Sequence, residues 1–166
     1  MESAAKIKET LQAASTEKLP EFIAEYETDP RSGVQKLVAS ARKKLDALEK
    51  EKQRIENLKK YEREYAQYSY ICGIDEVGRG PLAGPVVAGA VILPKDCHIL
   101  YINDSKQLSE KKREELYDVI TREAVAWAVG YASPKRIDEI NILQATYEAM
   151  REAIGKLTPA PDLLLN

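Results

Sequence analysis

Cysteine and histidine are nearly missing from these 166 residues: Cys72, Cys97 and His98 are all there is. Two thiols cannot staple a disulfide framework, and with one imidazole they cannot complete a multi-ligand zinc site. No apolar run reaches the roughly 18–20 residues a bilayer span requires, so no membrane partner is expected. The opening Met1-Glu2-Ser3-Ala4-Ala5-Lys6 has no apolar core of a signal peptide, and the expected compartment is the cytoplasm. Internal repeats and low-complexity tracts are absent too. A surplus of one charge sign is also lacking, since the net charge is −2.

That small net charge hides an uneven distribution. Residues 1–30 carry 3 basic and 7 acidic side chains, whereas residues 31–60 carry 10 basic and 4 acidic ones. The middle segment is a local positive footprint that the total conceals. Its stretch Arg42-Lys43-Lys44 with Lys50, Lys52, Arg54, Lys59 and Lys60 can track a nucleic-acid backbone, or simply be a solvated helix face.

Periodicity divides the chain in two. Ile7 and Leu11 mark a short helix. Leu19, Phe22, Ile23 and Tyr26 form one stripe behind Pro20, which suits a first helical position. Asp29-Pro30 is a break, and Ser32 is placed to cap a long helix. Val34, Ala41, Leu48 and Ile55 recur at sevens, but Lys44 and Glu51 interrupt the seam, so a three-helix appendage is expected rather than a coiled coil.

From about Ser69 strands begin. Tyr70 to Ile74 reads as a short strand entering Asp75-Glu76, and Val86 to Leu93 as a strand covered on both faces. Ser109 caps a helix running to about Glu123. Ala124 to Ala132 alternates small residues with Val125, Trp127, Val129 and Tyr131, so its small face lets a helix pack closely, and Trp127 is assigned to the core. Ser133-Pro134 starts a helical region to Leu157, and Pro161 to Asn166 begins another strand. Chain ends usually lie in polar surface segments. Leu163-Leu164-Leu165-Asn166 stops inside an apparent core strand, and the expectation is a chain cut short.

The chemistry concentrates in Gly73-Ile74-Asp75-Glu76-Val77-Gly78-Arg79-Gly80-Pro81-Leu82-Ala83-Gly84-Pro85. Adjacent carboxylates at a strand end can hold hard cations if the backbone turns there, because neighbouring strand side chains otherwise diverge. Taken alone, such a pair is an ordinary polar strand end. Gly78 and Gly80 admit close backbone approach, and Arg79 supplies a planar, permanently charged fork for phosphate; the plainer reading is a tight turn with a surface arginine. No Gly-Lys-Ser/Thr follows, and Pro81 with a second strand replaces the helix of a dinucleotide fingerprint. Asp104-Ser105-Lys106-Gln107-Leu108-Ser109 precedes a helix start, where Ser105 and Lys106 can meet phosphates or merely form a loop and cap.

The run from Gly73 to Ala88 resembles the opening signature of bacterial type 2 ribonuclease H, and Asp104 to Ser109 resembles its second motif. The helical front is similar to the N-terminal extension of the Bacillus-like form. The resemblance implies an α/β fold: a ribonuclease-H-like mixed sheet flanked by helices, incomplete here, after a small helical domain. Its boundaries would be residues 1–68 for the extension and 69–166 for the first portion of the catalytic domain.

It implies an endonuclease that cuts the RNA strand of RNA–DNA hybrids and single ribonucleotides in duplex DNA; a monomer is expected. Products would carry 3′-hydroxyl and 5′-phosphate ends, and Mg2+ or Mn2+ would serve as a cation pair. Asp75 and Glu76 match the first two catalytic, metal-binding carboxylates. Gly78, Arg79 and Gly80 match the loop that reads the 2′-hydroxyl, and Ser105 and Lys106 match positions near the substrate backbone. The family uses four carboxylates. The third and fourth would follow Asn166, so the chain as given is expected to be inactive alone. The alternative is a non-catalytic nucleic-acid-binding fragment.

Overall fold

Ser3 opens the first helix, its Oγ accepting from the Lys6 N–H at 3.3 Å. Helix α1 (Ala4–Ala13) sets Ile7 and Leu11 one above the other on its buried side. After a 3₁₀ turn at Thr16–Lys18, α2 (Leu19–Tyr26) begins with Pro20 in its first turn, where a missing N–H loses no bond. Helix α3 (Ser32–Leu58) follows. The computed structural model describes residues 2–81 and 83–166, so Met1 and Leu82 of the motif lie outside the described residues.

Two compact units divide the chain, Met1–Asn57 and Leu58–Asn166. In the first, Ile7, Leu11, Leu19, Phe22, Tyr26, Val34, Val38 and Ala41 make one buried cluster. Ser32 is not the cap expected for α3 but its first residue. Asp29 organises the entry instead. Its Oδ1 accepts from the Arg31 N–H at 2.9 Å, and its Oδ2 takes Arg31 Nη2 at 2.6 Å. Gln35 Nε2 then donates to the carbonyls of Asp29, Glu27 and Tyr26 at 2.6, 3.1 and 3.3 Å. These carbonyls lie at and just beyond the end of α2, so one side chain of α3 ties down the connection between the two helices. The Arg31 guanidinium, helped by its own backbone N–H, holds the Asp29 carboxyl down at about 2.

The second unit holds α4 (Lys60–Glu64) and a sheet of β1 (Ile71–Val77), β2 (Val86–Ile92), β3 (Ala126–Ala132) and β4 (Leu163–Leu165). Strand order is β3-β2-β1-β4; β1 and β2 are antiparallel, as are β2 and β3, while β4 runs parallel to β1. Helix α5 (Glu110–Glu123) links β2 to β3, and its cap is Ser109 as expected, accepting from Lys112 N–H at 3.3 Å. Helices α6 (Pro134–Ile140) and α7 (Ile142–Gly155) link β3 to β4.

One sheet face and α7 form the core: Cys72, Ile74, Val86, Ala88, Ala90, Ile92, Ala128 and Ala132 against Ala145, Ala149, Met150 and Ala153. The small face of β3 does admit the helix closely. A Cβ built on Gly130 would lie 1.8 Å from the Ala149 carbonyl oxygen, so no other residue fits there without moving α7. On the outer strand β3 two backbone groups are taken by the α7 end of the chain: Glu152 Oε2 accepts from Tyr131 N–H at 2.9 Å, and Lys156 Nζ donates to the Val129 carbonyl at 2.9 Å. Glu152 and Lys156 also pair with each other. This Lys156 contact and the Tyr131 N–H hold the Glu152 carboxyl below its ordinary value.

Several expectations need correction. Trp127 is not core; it is 43% exposed, with Tyr117 edge-on at 6.1 Å, because alternation turns Trp127, Val129 and Tyr131 away from α7. β2 is covered on one face only, with Val87 and Val91 half-buried and Gly89 exposed on the other. The helical region after Ser133 is broken at Asn141, whose φ of 71° stops α6 while its side chain caps α7 by accepting from Gln144 N–H at 3.1 Å. The final strand pairs only over Leu163–Leu165. No helix among the described residues is long and apolar enough to cross a membrane.

Candidate active site

Strand β1 does not end before the acidic pair. Its ladder continues through Asp75 opposite Gly89, Glu76 opposite Ala88 and Val77 opposite Val87. The turn therefore starts at Gly78, later than the sequence suggests, and strand alternation acts on the two acids. Asp75 lies in a row with Gly89 and Val129, on the face away from α7. Glu76 lies in a row with Ala88 and Gly130, on the face that α7 covers.

Each carboxylate has one local commitment. Asp75 Oδ1 accepts from the Glu76 N–H at 2.8 Å, and Glu76 Oε1 pairs with Arg79 Nη1 at 3.2 Å. The Glu76 side chain is largely covered, whereas the Arg79 side chain is half exposed. Beside Asp75, Gly89 has no atom within 4 Å of where a Cβ would stand, which leaves the space next to that carboxylate open.

Residues 78–85 connect β1 to β2. Gly78 has φ +93°, and a Cβ there would meet the Pro85 carbonyl oxygen at 2.2 Å, so glycine is required on both counts. Gly84 has φ +130°, while Gly80 is under no such constraint and borders open space. The loop thus has one glycine that closes its neck and another that keeps its rim clear.

Ser105 and Lys106 lie in a separate 3₁₀ turn, Ser105–Gln107. Asp104 Oδ1 caps it by accepting from the Lys106 N–H at 2.9 Å. Arg113 braces it from α5, donating to the Leu108 carbonyl at 2.7 Å and the Ser105 carbonyl at 3.4 Å. Both Ser105 and Lys106 are exposed. Arg113 was not legible from the motif, because its two acceptors are backbone carbonyls 5 and 8 residues earlier in the chain.

Two cations close together need several converging oxygens, since a magnesium ion takes six ligands in near-octahedral geometry. Among the described residues, no three Asp, Glu, His or Cys side chains gather as such a set. Asp75 and Glu76, pointing to opposite sheet faces, do not by themselves fit a cation pair. They are two separate carboxylates on one interior strand.

A mixed sheet in the order β3-β2-β1-β4, with helices beside it and carboxylates on interior strand β1, makes the second unit an α/β fold. Residues 3–66 match the family profile described as "Ribonuclease HII N-terminal domain", and residues 72–165 match "Ribonuclease HII". The chain belongs to the ribonuclease HII family.

Among curated relatives, Ribonuclease HII of Lachnoclostridium phytofermentans is 64% identical over 85% of this chain and 56% of its own. Those of Clostridioides difficile and Listeria monocytogenes serotype 4b are 49% and 48% identical over 98% and 99% of this chain, and 65% and 63% of theirs. The chain thus spans about three-fifths of the length of the relatives it matches. A solved ribonuclease H2 from Pyrococcus horikoshii OT3 aligns with TM-score 0.46 and 30% identity over 57% of this chain and 48% of that one.

Proposed function

We propose that this chain carries the first part of a type 2 ribonuclease H catalytic domain, residues 69–166, behind a helical extension, residues 1–68. The proposed activity is endonucleolytic cleavage of the RNA strand of RNA–DNA hybrids, and of single ribonucleotides in duplex DNA. It would leave 3′-hydroxyl and 5′-phosphate ends and act in the cytoplasm as a monomer. The observation that carries this reading is the Asp75-Glu76-Val77-Gly78-Arg79-Gly80 run on β1 and its loop, within the segment that matches the family profile.

In this reading Asp75 and Glu76 supply two of the carboxylates for Mg2+ or Mn2+, and the rest come from chain that the longer relatives possess. Asp75 and Glu76 do not converge on one cation position by themselves. What the residues in hand do is position. Arg79, tethered to Glu76, keeps donors free for a phosphate, a geometry its planar fork favours. Gly80 leaves the loop rim open to a ribose 2′-hydroxyl. The turn of Ser105 and Lys106, fixed by Asp104 and Arg113, offers a hydroxyl and a cation to the strand backbone.

The test uses a labelled DNA duplex containing one ribonucleotide, with Mg2+ or Mn2+. The chain alone is expected to leave it intact, and a chimera extended with the C-terminal remainder of a longer relative is expected to cut at the ribonucleotide. Cutting by the chain alone would overturn its proposed inactivity. A folded chimera that never cuts would overturn the nuclease reading.

A further inference from the structure

Lys36, Lys43 and Lys50 recur at sevens along α3. Seven residues advance a helix about 10.5 Å and bring it within about 20° of two full turns, so the three form one row about 21 Å long. Buried Val34, Val38 and Ala41 lie on the opposite side of the same helix. All three lysines are exposed.

Four other cations of this segment are engaged: Arg31 with Asp29, Arg42 with Glu27 at 3.1 Å, Lys52 with Glu49 at 2.9 Å and Arg54 with Glu51 at 2.8 Å; exposed Lys44 flanks the row beside Lys43 and adds to its charge. Among the described residues, none of the row lysines forms an ion pair or hydrogen bond.

An ordinary solvated helix face places acids three or four residues from its lysines. Here those positions hold Ser32, Gly33, Ala39, Ser40, Ala47, Gln53 and Arg54, with Asp46 the one acid, and Asp46 pairs with neither neighbour. The row is a straight set of unneutralised point charges on a low, small-residue surface.

We propose that this row is a phosphate-backbone contact for duplex nucleic acid, indifferent to base sequence and to the sugar. Lysine without arginine forks or aromatic rings suits phosphates rather than base edges. The row carries no apolar side chain to enter a lipid interface. Its straightness matches a partner whose charge is spread along a rod, rather than the scattered acids of a folded protein. This contact lies in the helical unit and does not depend on the proposed cleavage.

The test is fluorescence anisotropy of the full 166-residue chain on an all-DNA duplex, which has no ribonucleotide to cut, across a salt series. Substituting Lys36→Gln, Lys43→Gln and Lys50→Gln together should weaken binding at least about tenfold at low salt. It should also lower the log–log salt slope by about 3, one unit per lost phosphate contact. The matching Lys→Arg triple keeps the charge and should keep both values.

A control triple, Lys8→Gln, Lys111→Gln and Lys135→Gln, changes net charge equally and should leave the slope within about 1 of the parent. Equal weakening by the two Gln triples, or an unchanged slope in the row variant, overturns the proposal. So does absence of binding by the parent chain, and neither result bears on cleavage of ribonucleotide-containing duplexes.

Discussion

Replacing Gly130 by alanine tests the packing on which the whole second unit rests. The added Cβ would stand 1.8 Å from the Ala149 oxygen and 2.8 Å from both the Ala149 carbonyl carbon and the Ala153 nitrogen. All three atoms are backbone, so no side chain can swing aside, and α7 must retreat from β3. That retreat loosens Ala145, Ala149 and Ala153 together, because they share the same packed face.

Overpacking usually costs about 1–3 kcal/mol; with backbone on both sides the expected loss here is about 3 kcal/mol or more. Against a total stability of about 5–15 kcal/mol this is large. With a urea dependence of about 1–3 kcal/mol per molar, the midpoint should fall by about 1–3 M. Trp127, the single tryptophan, lies on β3 and reports on this unit alone, so the other unit does not blur the transition. Gly89→Ala is the matched control, since its Cβ would meet nothing within 4 Å on the adjoining strand. Midpoints for the two variants within about 0.3 M of each other would refute the steric account.

Other outcomes follow from the same structure. Asp75→Asn in the extended chimera should reduce cleavage at least about 100-fold, more than loss of an outer-shell partner usually does; near-parental rates would remove Asp75 from the site. Asp29 has its carboxyl held at about 2 against an ordinary 3.8. Its contribution is therefore complete above about pH 4 and fades as pH falls toward 2, the sign expected for a depressed acid. Helical circular dichroism of Asp29→Asn should accordingly show a flatter acid limb than the parent, and identical limbs would count against the Arg31 pairing. Burial raises the Cys72 thiol, so a thiol reagent on the folded chain should modify half-buried Cys97 first and Cys72 only on unfolding. Fast labelling of a Cys97→Ser variant would contradict that.

Much of the fold was legible where one local rule acted alone. The Ser109 cap follows from local hydrogen bonding, and the Ile7–Leu11 spacing and the small face of β3 each follow from a single periodicity. Misreadings arose where a distant partner decided. Ser32 lost the capping position because Asp29 and Gln35 satisfy that junction from both sides. Trp127 lies outside the core it is expected in because pairing register gives the α7 face to alanine and glycine, and a large apolar side chain is free to lie at the surface. Within the site, the motif could be read, but the ladder from Asp75 to Val77 depends on β2 and appears only in three dimensions. The bracing of Ser105 by Arg113 left no trace in composition or spacing.

The Glu152–Lys156 arrangement on β3 makes the two borders of the sheet unequal. Exposed strand margins invite foreign strands and seed aggregation unless they are blocked. Any segment approaching β3 would have to evict a carboxylate and an ammonium that already occupy the main-chain donor and acceptor it needs. Protonating Glu152 or acetylating Lys156 would weaken the hold on that donor and that acceptor without touching a single apolar contact.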